Sequence, residues 1–317
     1  MQTPSSLGDK SNLTLTVVVP ATNRPATLSQ CLKAIENAAD KPEQVIVVDD
    51  TSITHPATAR NAGAAHATGA VLVFVDADVT VHANAFTRIR RAFESDPDLT
   101  ALFGSYDDAP AAPGIVSVFR NLMHHHVHQQ NAGRAGTFWS GLGAMRRASF
   151  ESCGGFSVHP IEDIELGMRL SEKGGRIILD PTIQGKHLKD WSLWNMMRTD
   201  LLVRGIPWVA LLIQHRGSAN ASALNLSLRH RLSALASLLF VVAAAFLRPV
   251  IAGAALAALV ALNLSFYRLL ARHEGKVRAF IGIFVHVVHH LVSVIAVPLG
   301  IATYLARQWR RPSREAV

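Results

Sequence analysis

Short apolar runs that end in polar residues alternate with helical stripes through the first 190 residues, and then give way to nearly continuous apolar sequence. TLTVVVP (14–20) is a β-branched run closed by Pro20, the pattern of a parallel strand buried on both faces. Residues 25–39 set Leu28, Leu32 and Ile35 on one helical stripe. QVIVVDD (44–50) predicts a second buried strand, residues 57–66 an alanine-rich helix with Gly69 as its stop, AVLVFVDADV (70–79) a third strand, and residues 85–94 a helix. This β-α-β-α-β order predicts a parallel sheet with right-handed crossovers. Ligands of such sheets bind beyond the carboxyl ends of the strands. Pro20, Ala21, Thr22 and Asn23, then Asp49 and Asp50, then Asp76 and Asp78 all fall there.

Further along, residues 107–118 read as a loop, 120–130 as a helix, and 138–156 as a Gly-rich stretch holding a strand and a short helix. Residues 161–174 form an amphipathic helix with acids in the first turn and Gly174 as its stop, and 176–183 a strand leading to Lys186 and His187. Residues 189–214 mix Trp191, Trp194 and Trp208 with Arg198 and Arg204. That mixture fits either an interfacial segment at a bilayer or an amphipathic helix packed on the preceding domain. Two apolar stretches, 232–247 and 249–269, flank Arg248, and 279–306 is long enough for a tilted span. The basic segments 268–278 and 307–314 both favour the cytoplasmic side, which three full crossings do not satisfy, so two or three spans are expected. The expected division is a flexible 1–13, a catalytic domain over 14–190, an interfacial region over 191–230, transmembrane helices over 231–306 and a basic tail over 307–317.

Composition sharpens this picture. Of 317 residues 49% are hydrophobic, more than a wholly soluble chain needs, and the net charge of +8 favours anionic partners such as phosphates or lipid headgroups. Nucleic acid is not expected as a partner, because the arginines are scattered and no helix-turn-helix, zinc-finger or aromatic-basic platform occurs. Cys31 and Cys153 lack metal-ligand spacing and read as reduced packing residues. The polar first 16 residues have no hydrophobic signal core, so the catalytic domain is expected on the cytoplasmic side of the inner (plasma) membrane.

Asp76 and Asp78 carry the strongest chemistry. Residues i and i+2 of an extended chain point the same way, so both carboxylates would address one Mn2+ or Mg2+ ion together with substrate phosphates. Asp50 suits a base or ribose contact, or else a turn. Arg60 and Asn61 open the polar face of a helix, either solvated or facing a nucleotide. Glu162 and Asp163 satisfy a helix N-terminus, or supply a general base. His187 is either structural or a metal ligand through a neutral imidazole. The HHHVHQ run (124–129) does not read as a metal cluster, since adjacent residues on a helix diverge; it reads as a polar or interfacial face.

Together these segments resemble family 2 glycosyltransferases of the GT-A fold, an α/β class with a mixed, mainly parallel sheet. VVVPATNRPATLSQCL resembles the opening strand and loop set against the nucleotide, VIVVDDTS the second strand whose Asp meets the base, and ARNAGAAHATGAVLVFVDADV the run into the metal-binding acid-x-acid motif. WSGLGAMRRASFESCGGF, with Gly141 and the Gly154-Gly155-Phe156 turn, resembles the donor-sugar and acceptor segment, and IEDIELGMRL the Glu-Asp motif whose Asp acts as base. The resemblance implies a nucleotide-sugar donor with a lean to uridine, an inverting displacement, Asp76 and Asp78 at the metal with His187 completing it, and Asp163 as base beside Glu162. The Gln-x-x-Arg-Trp motif of processive synthases is absent; Arg204 to Trp208 is the nearest text, which points to a single transfer. The acceptor is expected to be a lipid or other membrane-bound hydroxyl. The alternatives are transfer to a polyprenyl phosphate, which needs no base, and a catalytically inactive membrane scaffold.

Overall fold

The computed structural model describes residues 13–215 and 227–309. The expectations for residues 1–12 and 310–317, and for the part of the interfacial region over 216–226, lie outside them. Eight strands form one sheet: β1 (Leu15–Pro20), β2 (Gln44–Val48), β3 (Val71–Val75), β4 (Val79–Val81), β5 (Leu99–Tyr106), β6 (Gly133–Ala135), β7 (Leu142–Arg146) and β8 (Arg176–His187). Their order is β2-β1-β3-β7-β5-β8-β4, with β6 paired to β8. The pairs β2-β1, β1-β3 and β5-β8 are parallel; β7 runs antiparallel between β3 and β5, making the sheet mixed.

Side chains alternate across the sheet and feed two cores. Val17, Val19, Val71, Val73 and Val75 meet α1 (Leu28–Glu36) and α3 (Ala85–Ser95) through Ile35, Phe86 and Ile89. Val18, Leu72, Phe74 and Phe103 face α2 (Pro56–Ala65), α5 (Arg147–Ser152) and α6 (Glu162–Glu172) through Ala57, Phe150 and Leu166. Burial on both faces is the reason β3 is an uninterrupted apolar run and β1 is broken only by Thr16. β2 corrects the expectation of a second buried strand: it is the sheet's edge, and Val45 is 42% exposed.

The helix α4 (Ile115–Gln130) starts inside the expected 107–118 loop and wedges between the sheet and the C-terminal helices. His126 and His128 are buried, so the histidine run is a packed interface and not a polar face. Phe119, Leu122 and Val118 pack with Phe266, Tyr267 and Leu270. Residues 189–214 form α7 (Leu193–Arg198), a π-helical turn at Thr199–Gly205 and α8 (Ile206–Gln214). Met196 and Trp191 are buried against the catalytic domain, whereas Trp194 is exposed.

Three apolar helices follow, α9 (Leu228–Ala245), α10 (Pro249–Leu262) and α11 (Leu264–Trp309), the last broken at Gly275 (φ 80°, ψ 167°). α9 and α11 are long and apolar enough to cross a membrane. α10 has 14 residues, about 21 Å at 1.5 Å per residue against a hydrocarbon core of about 30 Å. The 249–269 stretch is therefore not one span. It is cut at Asn263, whose side-chain amide donates to Ser233 Oγ at 2.8 Å and to the Leu259 carbonyl at 2.9 Å. The basic 268–278 segment is helical within α11, on either side of the Gly275 break.

Candidate active site

β1, β2, β3, β5 and β8 all finish at one rim of the sheet, and the antiparallel β7 and β4 begin there. Residues 20–23, 49–50, 76–78, Tyr106, Gly141 and His187 meet at that rim as a consequence. Val79 lies opposite His187 in the β4-β8 pair, and the Leu188 amide donates to the Asp78 carbonyl at 2.8 Å. The end of β8 is thereby laced to the turn that carries the aspartates.

That turn corrects the expected geometry. β3 stops at Val75, and residues 76–78 reverse under a Val79 N–H to Asp76 carbonyl bond of 2.9 Å, so the two carboxylates are not an extended i, i+2 pair. They take different partners. Asp76 Oδ1 accepts from Arg60 Nη2 at 2.7 Å, whereas Asp78 Oδ2 lies 3.6 Å from His187 Nε2.

Arg60 is 5% exposed, and its Nη1 also donates to Glu162 Oε1 at 2.6 Å. It is therefore neither solvated nor free to face a nucleotide; it ties α2 to the β3 rim and to α6. Asn61 is a second correction. Its Nδ2 donates to the Phe156 carbonyl at 2.8 Å and its Oδ1 accepts the Phe156 amide at 2.9 Å, so both ends of the amide hold the 154–156 turn. Gly155 in that turn has φ +68°, and a Cβ on it would lie 2.7 Å from Asn61 Oδ1. Arg60-Asn61 and Gly154-Gly155-Phe156 are thus two halves of one structural joint.

Asp163 sits in the first turn of α6. Its Oδ2 accepts from the Ser140 amide at 3.2 Å and from the Ser140 hydroxyl at 3.4 Å, and its Oδ1 accepts from the Ile164 amide at 2.8 Å. Gly167, one turn on, lies so close to the Thr137–Phe138 backbone that any Cβ would overlap it. That contact presses the start of α6 against the segment leading into β7. The neighbouring Gly141 gives its carbonyl to the Asp76 amide at 3.1 Å and lies against the Trp139 indole.

Acidic charge exceeds basic charge at this rim. Burial raises the Asp76 carboxyl above its ordinary value, with Arg60 opposing and Asp78 adding. Glu162 is pushed up to about 7 by burial and by the charge of Asp163. Burial also pushes on Asp78, but His187 and Lys189 outweigh it and hold that carboxyl below the usual range. Of Asp76, Asp78 and Glu162, Asp78 is therefore the one whose ionised form its surroundings favour.

Among the described residues no three His, Cys, Asp or Glu side chains converge as a metal cage. Mg2+-like ions need no such cage, since one or two carboxylates plus substrate phosphates and water suffice. Asp78 and His187, in a surplus of negative charge, fit that mode; Asp76, engaged by Arg60, fits it less well than expected. The His187 ring stacks on Tyr106 (4.2 Å between centroids, 12° between planes), and Tyr106 in turn contacts His124 at 4.2 Å and Trp139 at 4.9 Å. Such a stack fixes the imidazole plane.

The nucleotide-side candidates lie at the β1 and β2 end of the rim. The Ala21 amide donates to the Val48 carbonyl at 2.8 Å, which leaves Asn23 exposed at the tip of the following turn. Asp50 is exposed, and its Oδ1 caps a turn by accepting the Ser52 amide at 2.9 Å; the Ser52 side chain, and then that amide, lower its pKa. Tyr106, Ser140 and Trp139 are not singled out by the sequence; an aromatic closing a strand two residues after Gly104 was the available signal for Tyr106.

The profile of glycosyl transferase family group 2 matches residues 71–305, from β3 through most of α11. No curated protein sequence matches the chain. Among solved structures, a mannosyltransferase from Pyrobaculum calidifontis, in complex with GDP-Man and Mn2+, is 18% identical with a TM-score of 0.53, over 93% of this chain and 87% of that one. Glucosyl-3-phosphoglycerate synthase from Mycobacterium tuberculosis is 16% identical with a TM-score of 0.46, over 65% of this chain and 81% of that one. With the mixed sheet and the family match covering most of its length, the chain belongs to glycosyl transferase family group 2 and is a glycosyltransferase of the GT-A fold.

Proposed function

We propose that this enzyme moves a sugar from a nucleotide-diphosphate sugar to a hydroxyl of a lipid or other membrane-bound acceptor, in one inverting, non-processive displacement. The observation that carries the reading is Asp163, held by Ser140 at the same rim as the Asp78–His187 pair. Asp78 and His187 would hold Mn2+ or Mg2+, whose charge neutralises the departing diphosphate. The P. calidifontis mannosyltransferase, bound to GDP-Man and Mn2+, supports a divalent ion and a nucleotide-sugar donor here, and the resemblance to family 2 leans toward UDP. Asp163 takes the proton of the acceptor hydroxyl as that oxygen attacks the anomeric carbon. Pro20, Ala21, Thr22, Asn23 and Asp50 line the nucleotide side. Arg60 acts by holding Asp76 and Glu162 in place, not by touching the donor.

The apolar α9 and α11 support attachment to a membrane, in our reading the inner (plasma) membrane with the catalytic domain on the cytoplasmic side. The test is sugar transfer by the purified full chain, offered a panel of nucleotide sugars and lipid extracts. Asp163→Asn is expected to lower kcat about 10²–10⁴-fold with nucleotide affinity kept. Undiminished transfer by that variant removes the hydroxyl-base mechanism.

A further inference from the structure

Trp191, four residues beyond β8, is 6% exposed. Two cations lie over its ring: the Arg120 guanidinium carbon at 4.2 Å and Lys189 Nζ at 4.3 Å from the ring centroid. Its indole N–H is buried and meets no acceptor among the described residues. An indole nitrogen only donates, so it is a hydrogen-bond donor without an acceptor. Burying such a donor is unfavourable unless an acceptor arrives.

A third cation comes from the π-helical turn at Thr199–Gly205, which carries Arg204. Turns of this kind are frequent at functional sites. Arg204 and Lys189 are exposed, and neither makes a hydrogen bond or ion pair among the described residues. Arg120 is already neutralised, through Asp200 at 2.7 and 2.8 Å, and Asp200 also meets His289 of α11 at 3.0 Å. The charges of Arg120, Arg204 and Lys189 act on one another, and those of Lys189 and Asp78 act on each other. Like charges gathered this way call for an anion, and guanidinium groups match phosphate oxygens. The π-helical turn packs directly on α11, where a Cβ on Gly205 would lie 2.7 Å from the Ala296 methyl. An anion seated here lies between the catalytic rim and the apolar helices.

We propose that Lys189, Arg204 and the Trp191 indole N–H, backed by Arg120, form a phosphate subsite for the acceptor, so that the acceptor lipid itself carries a phosphate. This rests on the reading of the chain as a lipid-directed nucleotide-sugar transferase. A phosphate here has two sources, the acceptor lipid and the donor diphosphate, and the subsite belongs to the first. Removing the Arg204 charge should then weaken lipid binding and spare the nucleotide.

The test uses the full chain in detergent micelles and calorimetric titration with farnesyl phosphate or farnesol, each set beside a nucleoside diphosphate with Mn2+. Wild type is expected to bind farnesyl phosphate in preference to farnesol, which lacks the phosphate. The Arg204→Ala variant is expected to lose at least tenfold in that affinity with nucleoside diphosphate affinity unchanged. Trp191→Phe, which keeps an aromatic platform but lacks the N–H, should lose several-fold. Two results overturn the proposal: farnesyl phosphate bound no better than farnesol, or an Arg204→Ala variant that loses the diphosphate and keeps the lipid. If wild type binds no nucleoside diphosphate at all, the donor reading fails separately, and the lipid titrations still decide the subsite.

Discussion

Arg60 donates to Asp76 and Glu162 at 2.7 and 2.6 Å from a side chain that is almost fully buried, so one guanidinium serves two carboxylates while Asp78 and Asp163 stand nearby. One positive charge cannot keep every neighbour ionised cheaply, and Glu162 responds by rising to about 7 from its ordinary value of 4.5. A carboxyl that binds its proton more tightly when folded contributes stability that is fully present below its unfolded pKa of 4.5 and lost as pH climbs through about 7. The loss is on the order of 3 kcal/mol at 1.36 kcal/mol per pKa unit. Thermal unfolding of the chelator-treated protein should therefore show wild type losing stability between those two pH values, and Glu162→Gln losing much less. Parallel curves for the two proteins would mean that the Arg60 pair keeps Glu162 ionised throughout. These acids are legible in the sequence at strand and helix ends, whereas for Arg60 and Asn61 the sequence offers only a solvated or a nucleotide-facing role, not the buried joint. An alanine-rich helix shows no stripe that says which face is buried, and their partners lie 16 to 102 positions away in sequence.

At the scale of elements, the parts legible in the pattern were those whose burial is local. β1, β3, α1 and α3 each announce themselves by an apolar run or a stripe. β5 (LTALFGSY) does not, because Thr100, Gly104 and Ser105 interrupt it and its burial comes from β7 and β8 on either side. The 76–78 turn was hidden for a related reason: β3 and β4 are adjacent in sequence but bind different partners, β7 and β8. The joint between α6 and the segment leading into β7 has a direct consequence. Gly167→Val must push α6 off the Thr137–Phe138 backbone and draw Asp163 away from Ser140. We expect kcat to fall tenfold or more, with a lower Tm and little change in nucleoside diphosphate affinity. A variant that unfolds at a lower temperature yet turns over at the wild-type rate would separate the joint from catalysis.

For the molecule as a whole, the catalytic rim and the apolar helices are joined through α4, which touches the sheet on one side and α11 on the other, and through the Arg120–Asp200–His289 link. The exposed surface of α9 and α11 is rich in large apolar side chains, Leu235, Phe280, Ile295 and Leu305 among them, which fits contact with lipid. After cell lysis the chain should stay with membranes through alkaline carbonate washing; quantitative release would leave α9 and α11 as the interface of a soluble assembly. The sequence reading foresaw an apolar C-terminal half, but not its arrangement, because hydropathy alone does not reveal that Asn263 ends α10 or that α11 runs on through basic residues. The central claim is that Asp78 and His187 bind a nucleoside diphosphate through a divalent ion, and calorimetric titration of UDP and GDP with and without Mn2+ tests it most directly. The account predicts binding that requires Mn2+ and weakens at least tenfold in Asp78→Ala. Binding indifferent both to Mn2+ and to that substitution would contradict it.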